Sequence, residues 1–335
     1  MADPSKKNFI SNTGIEVTQL GIGTGPMGNL LSKVKDEDCY SVLNEAILQG
    51  INYFDTAPFY GLGLAEKRLG KFFEDNMLND IIISTKVGRL IRHGERSGTE
   101  LYDNNKPFFL ANEDMTAKFD FSYDGIMKSH EESLNRLNLD YVDKLHIHDP
   151  YMHFDEATTT AYNALNKLKK SGQIKAISVG MSDHHMLSRF MDHCEFDCFL
   201  FAGNYTLLSH DSILNFMPKC IKAKISIIVG GVYGSGVIAD QKNSPTYNYI
   251  KAPKYIIKKI KNISEICKKY KVSIKAVALQ FPLCHRSVVS VLTGARNLNE
   301  ISDNLKNFTV KIPFELWQEL KSNNLIREEC PIPLE

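Results

Sequence analysis

Residues 80–87 read DIIISTKV. Three isoleucines in succession show no alternation between apolar and polar faces. Such β-branched runs suit a strand buried on both sides, the situation of strands in parallel sheets. The run ends in Lys86 and Val87 and then meets Gly88.

The same rhythm extends both ways. Upstream, residues 17–25 (VTQLGIGTG) and 52–57 (NYFDTA) are short apolar runs. Between them Cys39, Val42, Leu43, Ala46 and Ile47 recur at helical spacing, and Gly50 follows as a C-terminal cap. A helix through Leu69, Phe72 and Phe73 leads into the opening run. Downstream, strands are expected at 141–149, 174–182, 198–204, 225–232 and 288–294, with helical segments between them. One helical face gathers Ala157, Ala161, Ala164, Leu165 and Leu168. Another, at 254–271, should turn Ile256, Ile257, Ile260, Ile263 and Ile266 inward and its lysines outward.

Eight strands, each followed by a helix, imply a parallel sheet, and eight such units favour a closed (β/α)8 TIM barrel, an α/β fold. No linker or shift of composition divides the 335 residues, so a single domain over 1–335 is expected. Its additions are an N-terminal β-hairpin at 1–18 turning at Asn12–Gly14, an extra C-terminal helix, and two polar, irregular stretches at 89–122 and 233–253. Loops of that length are usually functional, and these two are expected over the active site.

Composition narrows the function classes. Forty basic residues face 39 acidic ones, a net charge of +1 that offers no bulk attraction for nucleic acid or an anionic membrane. The first residues lack the apolar core of a signal peptide, and no run is long enough for a transmembrane helix. The seven cysteines are scattered, without a CxxC pair, and are expected as free thiols in a cytoplasmic protein. The sequence leaves oligomeric state open.

In a barrel, chemistry gathers where strands end. The second strand ends at Asp55, with Tyr60 five residues on. The third carries Lys86, and the fourth ends in His146, His148 and Asp149. Singly, each has an ordinary reading: a turn aspartate, a loop aromatic, a solvated lysine, a core histidine. Together they make a proton-transfer set. Tyrosine, with a pKa of roughly 10, exchanges protons poorly at neutral pH; an ammonium beside it favours the phenolate, and a carboxylate can hold that ammonium. The histidine can orient an oxygen next to the phenol. Such a set suits proton exchange at a carbonyl or alcohol oxygen while a cofactor carries the hydride.

These motifs, DTAPFYGLGLAEKRLG, ISTK and LDYVDKLHIHDP, resemble those of the aldo-keto reductase family over nearly the whole chain. The resemblance implies a barrel holding NAD(P)H at its C-terminal face. It makes Tyr60 the general acid/base, Lys86 the group that tunes it, Asp55 the partner of Lys86, and His148 the orienting imidazole. The stretches STKVGRL, VGMS and 119–150 are most similar to a subgroup that oxidises free aldoses and related hemiacetals: D-threo-aldose (L-fucose), L-galactose and pyridoxal 4-dehydrogenases. Oxidation of a cyclic hemiacetal gives a lactone directly.

Carried over by position, Ser182 and Asn204 would contact the nicotinamide. The family's next Asn is Asp183 here, its Gln falls near Ala202, and its stacking Tyr is Gly230, leaving Tyr233 as a substitute. Gly234, Ser235 and Gly236 offer backbone N–H groups to phosphate. At the adenosine end, Asn304 matches an adenine contact and Arg296 could bind a 2′-phosphate. Glu300 stands where NADP-dependent members place an Arg, so NAD is favoured and NADP remains an alternative. Phe59, Tyr123, Asp124 and Tyr233 are candidate substrate contacts; Tyr123 and Asp124 equally suit a helix cap. The expected partner is a small sugar or aldehyde.

Two rival functions are open to the same residues. His146 and His148 alternate on one strand and face the same way, which would suit a metal-dependent barrel hydrolase; the leading reading has no metal and leaves His146 in the core. A non-catalytic, cofactor-binding barrel is the other.

Overall fold

The computed structural model describes residues 2–76, 80–102, 105–240 and 246–333. Residues 103–104 and 241–245, inside the two long stretches, lie outside the described residues, as do the ends of the expected 1–335 domain. Eight parallel strands close into a barrel: β1 (Leu20–Gly23), β2 (Tyr53–Asp55), β3 (Ile82–Val87), β4 (Lys144–His148), β5 (Ala176–Met181), β6 (Cys198–Ala202), β7 (Ser226–Gly230) and β8 (Val288–Thr293), with β8 paired to β1. Around it run α1 (Asp36–Leu48), α2 (Leu64–Asp75), α3 (Tyr123–Leu137), α4 (Tyr162–Lys170), α5 (His184–Met191), α6 (Phe216–Ala223), α7 (Lys254–Lys269), α8 (Ile274–Gln280) and α9 (Leu298–Phe308); α10 (Phe314–Ser322) follows as the extra C-terminal helix.

Strand periodicity sorts the side chains. Leu145 and Ile147 of β4 pack outward into the large core beneath the helices, while Lys144, His146 and His148 point into the barrel. A second cluster fills the barrel floor: Tyr53, Ala176, Cys198, Leu200, Ile228, Val289 and Leu292, plugged from below by Ile10, Ile15 and Val17 of the hairpin. In that hairpin Lys7–Phe9 pairs antiparallel with Glu16–Thr18. Asn8 Nδ2 ties it to Val289 O at 2.8 Å, and Ser11 Oγ donates to Lys224 O at 2.7 Å.

Register sets the rows above the floor. Asp55, Ser84 and Lys144 are partners across β2, β3 and β4; Lys86, His146 and Ser178 form the next row up. Polar side chains thus stack towards the strand ends.

Two expectations change. The stretch 89–122 is not irregular: Arg89–His93 pairs antiparallel with Met115–Phe119, and Leu101–Tyr102 with Lys106–Pro107. Its organiser is Glu100, 4% exposed, whose carboxylate accepts from Thr116 Oγ1 at 2.6 Å, Ala117 N at 2.8 Å and Ser97 N at 3.2 Å. The bonds to Thr116 and Ala117 join residues 16 and 17 apart, which no local period reveals. In the second stretch Thr246–Tyr247 pairs with Ile250–Lys251. On α7, Ile256, Ile260 and Ile263 are buried, but Ile257 is exposed because it falls beyond the edge of the apolar stripe. The cysteines are free thiols. Among the described residues no helix is long and apolar enough to cross a membrane.

Candidate active site

Asp55, Lys86 and His148 rise from β2, β3 and β4 into the mouth of the barrel, and Tyr60 enters from the turn after β2. That turn is tight: Gly61, Leu62 and Gly63 all have positive φ, and Tyr60 N donates to Ala57 O at 3.0 Å. The Tyr60 backbone lies so close to Gly28 that a Cβ there would sit 2.5 Å from Tyr60 C, so only glycine fits.

Lys86 Nζ donates to Asp55 Oδ2 at 2.6 Å and to Thr56 O at 2.8 Å, and it lies 4.6 Å from the centre of the Tyr60 ring. The Tyr60 and His148 rings meet edge to face at 6.1 Å. The structure therefore brings together all four residues singled out in the sequence. Burial alone would raise the Asp55 pKa, but the Lys86 charge, aided by His146, holds it well below the usual carboxylate range. Burial and the positive charges of Arg89 and Lys86 keep His148 a neutral imidazole.

The Tyr60 phenol differs from expectation. Lys86 does pull its pKa down, yet burial outweighs that pull, and the Asp55 and Asp149 charges add to it. The net shift is upward, so Tyr60 is a neutral phenol at neutral pH.

Several residues of this mouth were not singled out as contacts from the sequence. Arg89, 3% exposed, donates to Asp149 Oδ2 at 2.9 Å, and its guanidinium lies over Phe59 at 4.3 Å and Phe119 at 4.7 Å. Asp149 Oδ2 is also 3.6 Å from His148 Nε2. Phe109 packs against Phe59 at 5.0 Å and Tyr60 at 5.8 Å. Tyr249, from the second long stretch, meets Phe108, from the first, edge to face at 5.1 Å. Burial, with the charges of Tyr60 and Asp149, pushes its hydroxyl up to about 12. The signals were slight: aromatic residues inside polar stretches, and an aspartate directly before proline at a left-handed φ of 48°.

The candidate substrate contacts separate. Phe59 stands 6.2 Å from the His148 ring. Tyr123 and Asp124 sit in the first turn of α3, where Ser122 is the cap, and Tyr123 is exposed. Tyr233 instead donates its hydroxyl to Asn304 Oδ1 at 2.9 Å, joining a proposed substrate contact to the proposed adenine contact.

Ser182 and Asn204 are brought together, with Asn204 Nδ2 donating to Ser182 O. They line an open cleft of ≈ 510 Å³ with Tyr151, whose hydroxyl is 2.7 Å from Ser182 Oγ. Asp183 caps α5, accepting from His185 N at 2.8 Å and Met186 N at 3.1 Å, which accounts for a carboxylate at that position. Of the three N–H groups expected to face phosphate, two are used inside the turn: Gly234 N donates to Gly231 O and Gly236 N to Tyr233 O. Arg296 and Glu300 hold each other, with Nη2 to Oε1 at 2.6 Å and Nε to Oε1 at 2.9 Å.

The residues at this mouth have capacity for a polar ligand. Thr24, Thr56 and Thr293, at the tips of the neighbouring strands β1, β2 and β8, bury hydroxyls that have no hydrogen-bond partner among the described residues. Each such group costs about 1–3 kcal/mol until it is paired. His146 has other duties: Nδ1 is 2.7 Å from Ser178 Oγ and Nε2 is 3.3 Å from Asp55 Oδ1. Among the described residues no three His, Cys, Asp or Glu side chains are grouped to hold a metal.

The family model described as "Aldo/keto reductase family" matches residues 19–324. The chain is 35% identical over 316 residues to D-threo-aldose 1-dehydrogenase of Pseudomonas sp, covering 93% of this chain and 96% of that one. It is 34% identical over 345 residues to pyridoxal 4-dehydrogenase of Microbacterium luteolum, covering 96% and 98%. The fold superposes on a glycerol dehydrogenase of Gluconobacter oxydans with a TM-score of 0.75, 21% identity and coverage of 99% and 98%.

Proposed function

We propose a substrate for this chain, which belongs to the aldo/keto reductase family and is thereby an NAD(P)-dependent oxidoreductase: a free aldose or similar cyclic hemiacetal, oxidised to its lactone. The relatives named for aldose and pyridoxal oxidation support that class. The observation that carries it is the placement of the Tyr60 ring between the Lys86 ammonium at 4.6 Å and the His148 ring at 6.1 Å.

The bound nicotinamide supplies the hydride-transfer chemistry. The unpaired hydroxyls of Thr24, Thr56 and Thr293, with Ser182 and Asn204, are the groups that would hold it; Arg296, Glu300 and Asn304 would take its adenosine end, and in the turn from Gly234 to Gly236 the Ser235 N–H would face its phosphates, those of Gly234 and Gly236 being used inside the turn. In oxidation the substrate hydroxyl gives its proton to the phenolate form of Tyr60, the minor form that the Lys86 ammonium favours, as its carbon loses hydride to the oxidised nicotinamide, and the C–O single bond becomes the lactone carbonyl. In reduction the neutral phenol returns that proton. His148, held uncharged, donates or accepts one hydrogen bond at the reacting oxygen and fixes its direction. Phe59, Phe109 and Tyr249 wall the site against water, and Asp149 with Arg89 offers a charged edge to further hydroxyls. That edge suits a polyhydroxylated substrate better than a plain aldehyde.

NAD is the favoured cofactor, because Glu300 already neutralises Arg296 and its carboxylate repels a 2′-phosphate. The test is cofactor reduction over a panel of free aldoses and pyridoxal, with NAD and NADP in parallel. Turnover of at least one hemiacetal is expected; none on any would overturn the reading.

A further inference from the structure

Lys144 is a lysine in an apolar floor. It is wholly buried on β4, on the row it shares with Ser84 and Asp55 and below that of Lys86, among Tyr53, Ala176 and Cys198. No carboxylate among the described residues pairs with it. Its one hydrogen-bond partner among the described residues is the Tyr53 hydroxyl at 2.8 Å, and its Nζ lies 4.5 Å from the Tyr53 ring centre.

From that hydroxyl the hydrogen bonds continue in a forced direction. The Asp55 carboxylate can only accept, so Ser84 spends its single hydrogen on Asp55 Oδ1, at 2.6 Å. Ser84 Oγ must then accept from the Tyr53 hydroxyl, at 3.0 Å. The Tyr53 oxygen is left as acceptor, and Lys144 fills it. Every O–H in the chain points from the ammonium towards the carboxylate, so the bonds polarise one another in one sense.

A leucine at position 144 would leave no buried donor unsatisfied, because Tyr53 already donates to Ser84. Packing therefore does not ask for an ammonium, and a charge there is costly to bury. We propose that Lys144, Tyr53 and Ser84 are positioning residues: a relay that brings the Lys144 charge to Asp55 Oδ1, so that Asp55 draws less on the Lys86 ammonium and more of its field reaches the Tyr60 phenol. The proposal rests on the reading of Tyr60 as the proton-exchanging group.

The groups acting on Tyr60 are Lys86 and Asp55, His148 and Asp149 after β4, Arg89 after β3, and Tyr249 of the second long stretch. On Lys144, burial acts most and lowers its pKa, Lys86 adds to that, and Cys198, Asp55 and Asp143 favour its charge. Substitutions at Tyr53 and Lys144 leave all of the first set in place.

The experiment compares the parent protein with Tyr53→Phe, Lys144→Met and the double variant. Tyrosine labelled at Cζ with carbon-13 is followed by NMR from pH 7 upward, the Tyr60 signal being assigned by its loss in Tyr60→Phe. The onset of Tyr60 ionisation is expected to move up by about half a pH unit or more in each single variant and no further in the double. In parallel, kcat for hemiacetal oxidation should fall about three- to tenfold with KM held and the alkaline limb displaced upward, a displacement that loosened packing would not give. An unmoved Tyr60 ionisation, or effects that simply add in the double variant, would overturn the relay. Tyr53→Phe keeps the ring in the floor, so it carries the test even where Lys144→Met fails to fold. A parent enzyme that turns over no hemiacetal overturns the proposed function, while the NMR titration still decides the relay.

Discussion

Asp55 and Lys86, on adjacent strands, are joined by a 2.6 Å bond between two side chains that are each 2% exposed. Neither charge has water to fall back on. Asp55→Asn leaves the ammonium buried without its counter-charge, which typically costs about 3–5 kcal/mol. Thermal unfolding of Asp55→Asn should therefore begin well below that of the parent. Unchanged unfolding would mean the pair is not structurally coupled.

Tyr60→Phe removes the oxygen proposed to exchange the proton and keeps the ring between Lys86, Phe109 and His148. Cofactor affinity, read by fluorescence quenching, should persist, and kcat should fall by about a thousandfold or more, at the strong end of acid–base contributions. Because the phenol is held above its ordinary pKa, the phenolate fraction grows with pH throughout the neutral range. Hemiacetal oxidation should therefore quicken steadily from pH 7 to pH 10, while carbonyl reduction should not.

Asp149→Asn retains shape and removes charge at the edge of the site. We expect kcat/KM on a hydroxylated aldose to fall about tenfold or more and that on an unhydroxylated aldehyde of similar length to change little, because the loss is confined to the hydroxyl contact. Equal losses on both would show that the carboxylate acts on the reacting centre instead.

Glu300→Gln should release Arg296 from its ion pair. The ratio of kcat/KM with NADP to that with NAD is expected to rise about tenfold, measured with one substrate. A ratio that stays put would place the 2′-position beyond the reach of Arg296.

Acid should unfold the barrel early. Burial holds His130, His210 and His285 down to about 4 and His146 down to about 3. Unfolding returns them to about 6.5. Their depressed values favour the fold above pH 6.5, and that contribution is lost as pH falls towards 4. Between pH 7 and pH 5 each can remove up to about 2 kcal/mol. The melting temperature should drop steeply over that interval and recover in part in His130→Gln, whose parent imidazole has no hydrogen-bond partner at either nitrogen.

The eight strands were legible because each is a short apolar run bounded by turns, and the burial of both faces makes DIIISTKV and its counterparts unmistakable. The four site residues were legible because strand ends are where a barrel puts its chemistry. What escaped was non-local. Glu100 organises its stretch through bonds to Thr116 and Ala117, and Tyr249 finds Phe108 across more than a hundred residues. Gly234 and Gly236 were placed correctly in a turn, but a sequence does not say which N–H groups the turn consumes. Nor does it say that the Tyr233 hydroxyl bonds to Asn304.

The hairpin beneath the barrel has a consequence for how the chain is made. Its plug residues Ile10, Ile15 and Val17 leave the ribosome before the whole barrel, yet they seat against Val289 and Leu292 of β8, and Asn8 bonds to Val289 O across 281 positions. Until that last strand emerges, the stopper has no complete bottle to close. The nascent chain must carry exposed isoleucines until β8 is made, and closure becomes a long-range event, the kind that slows folding and invites chaperone contact.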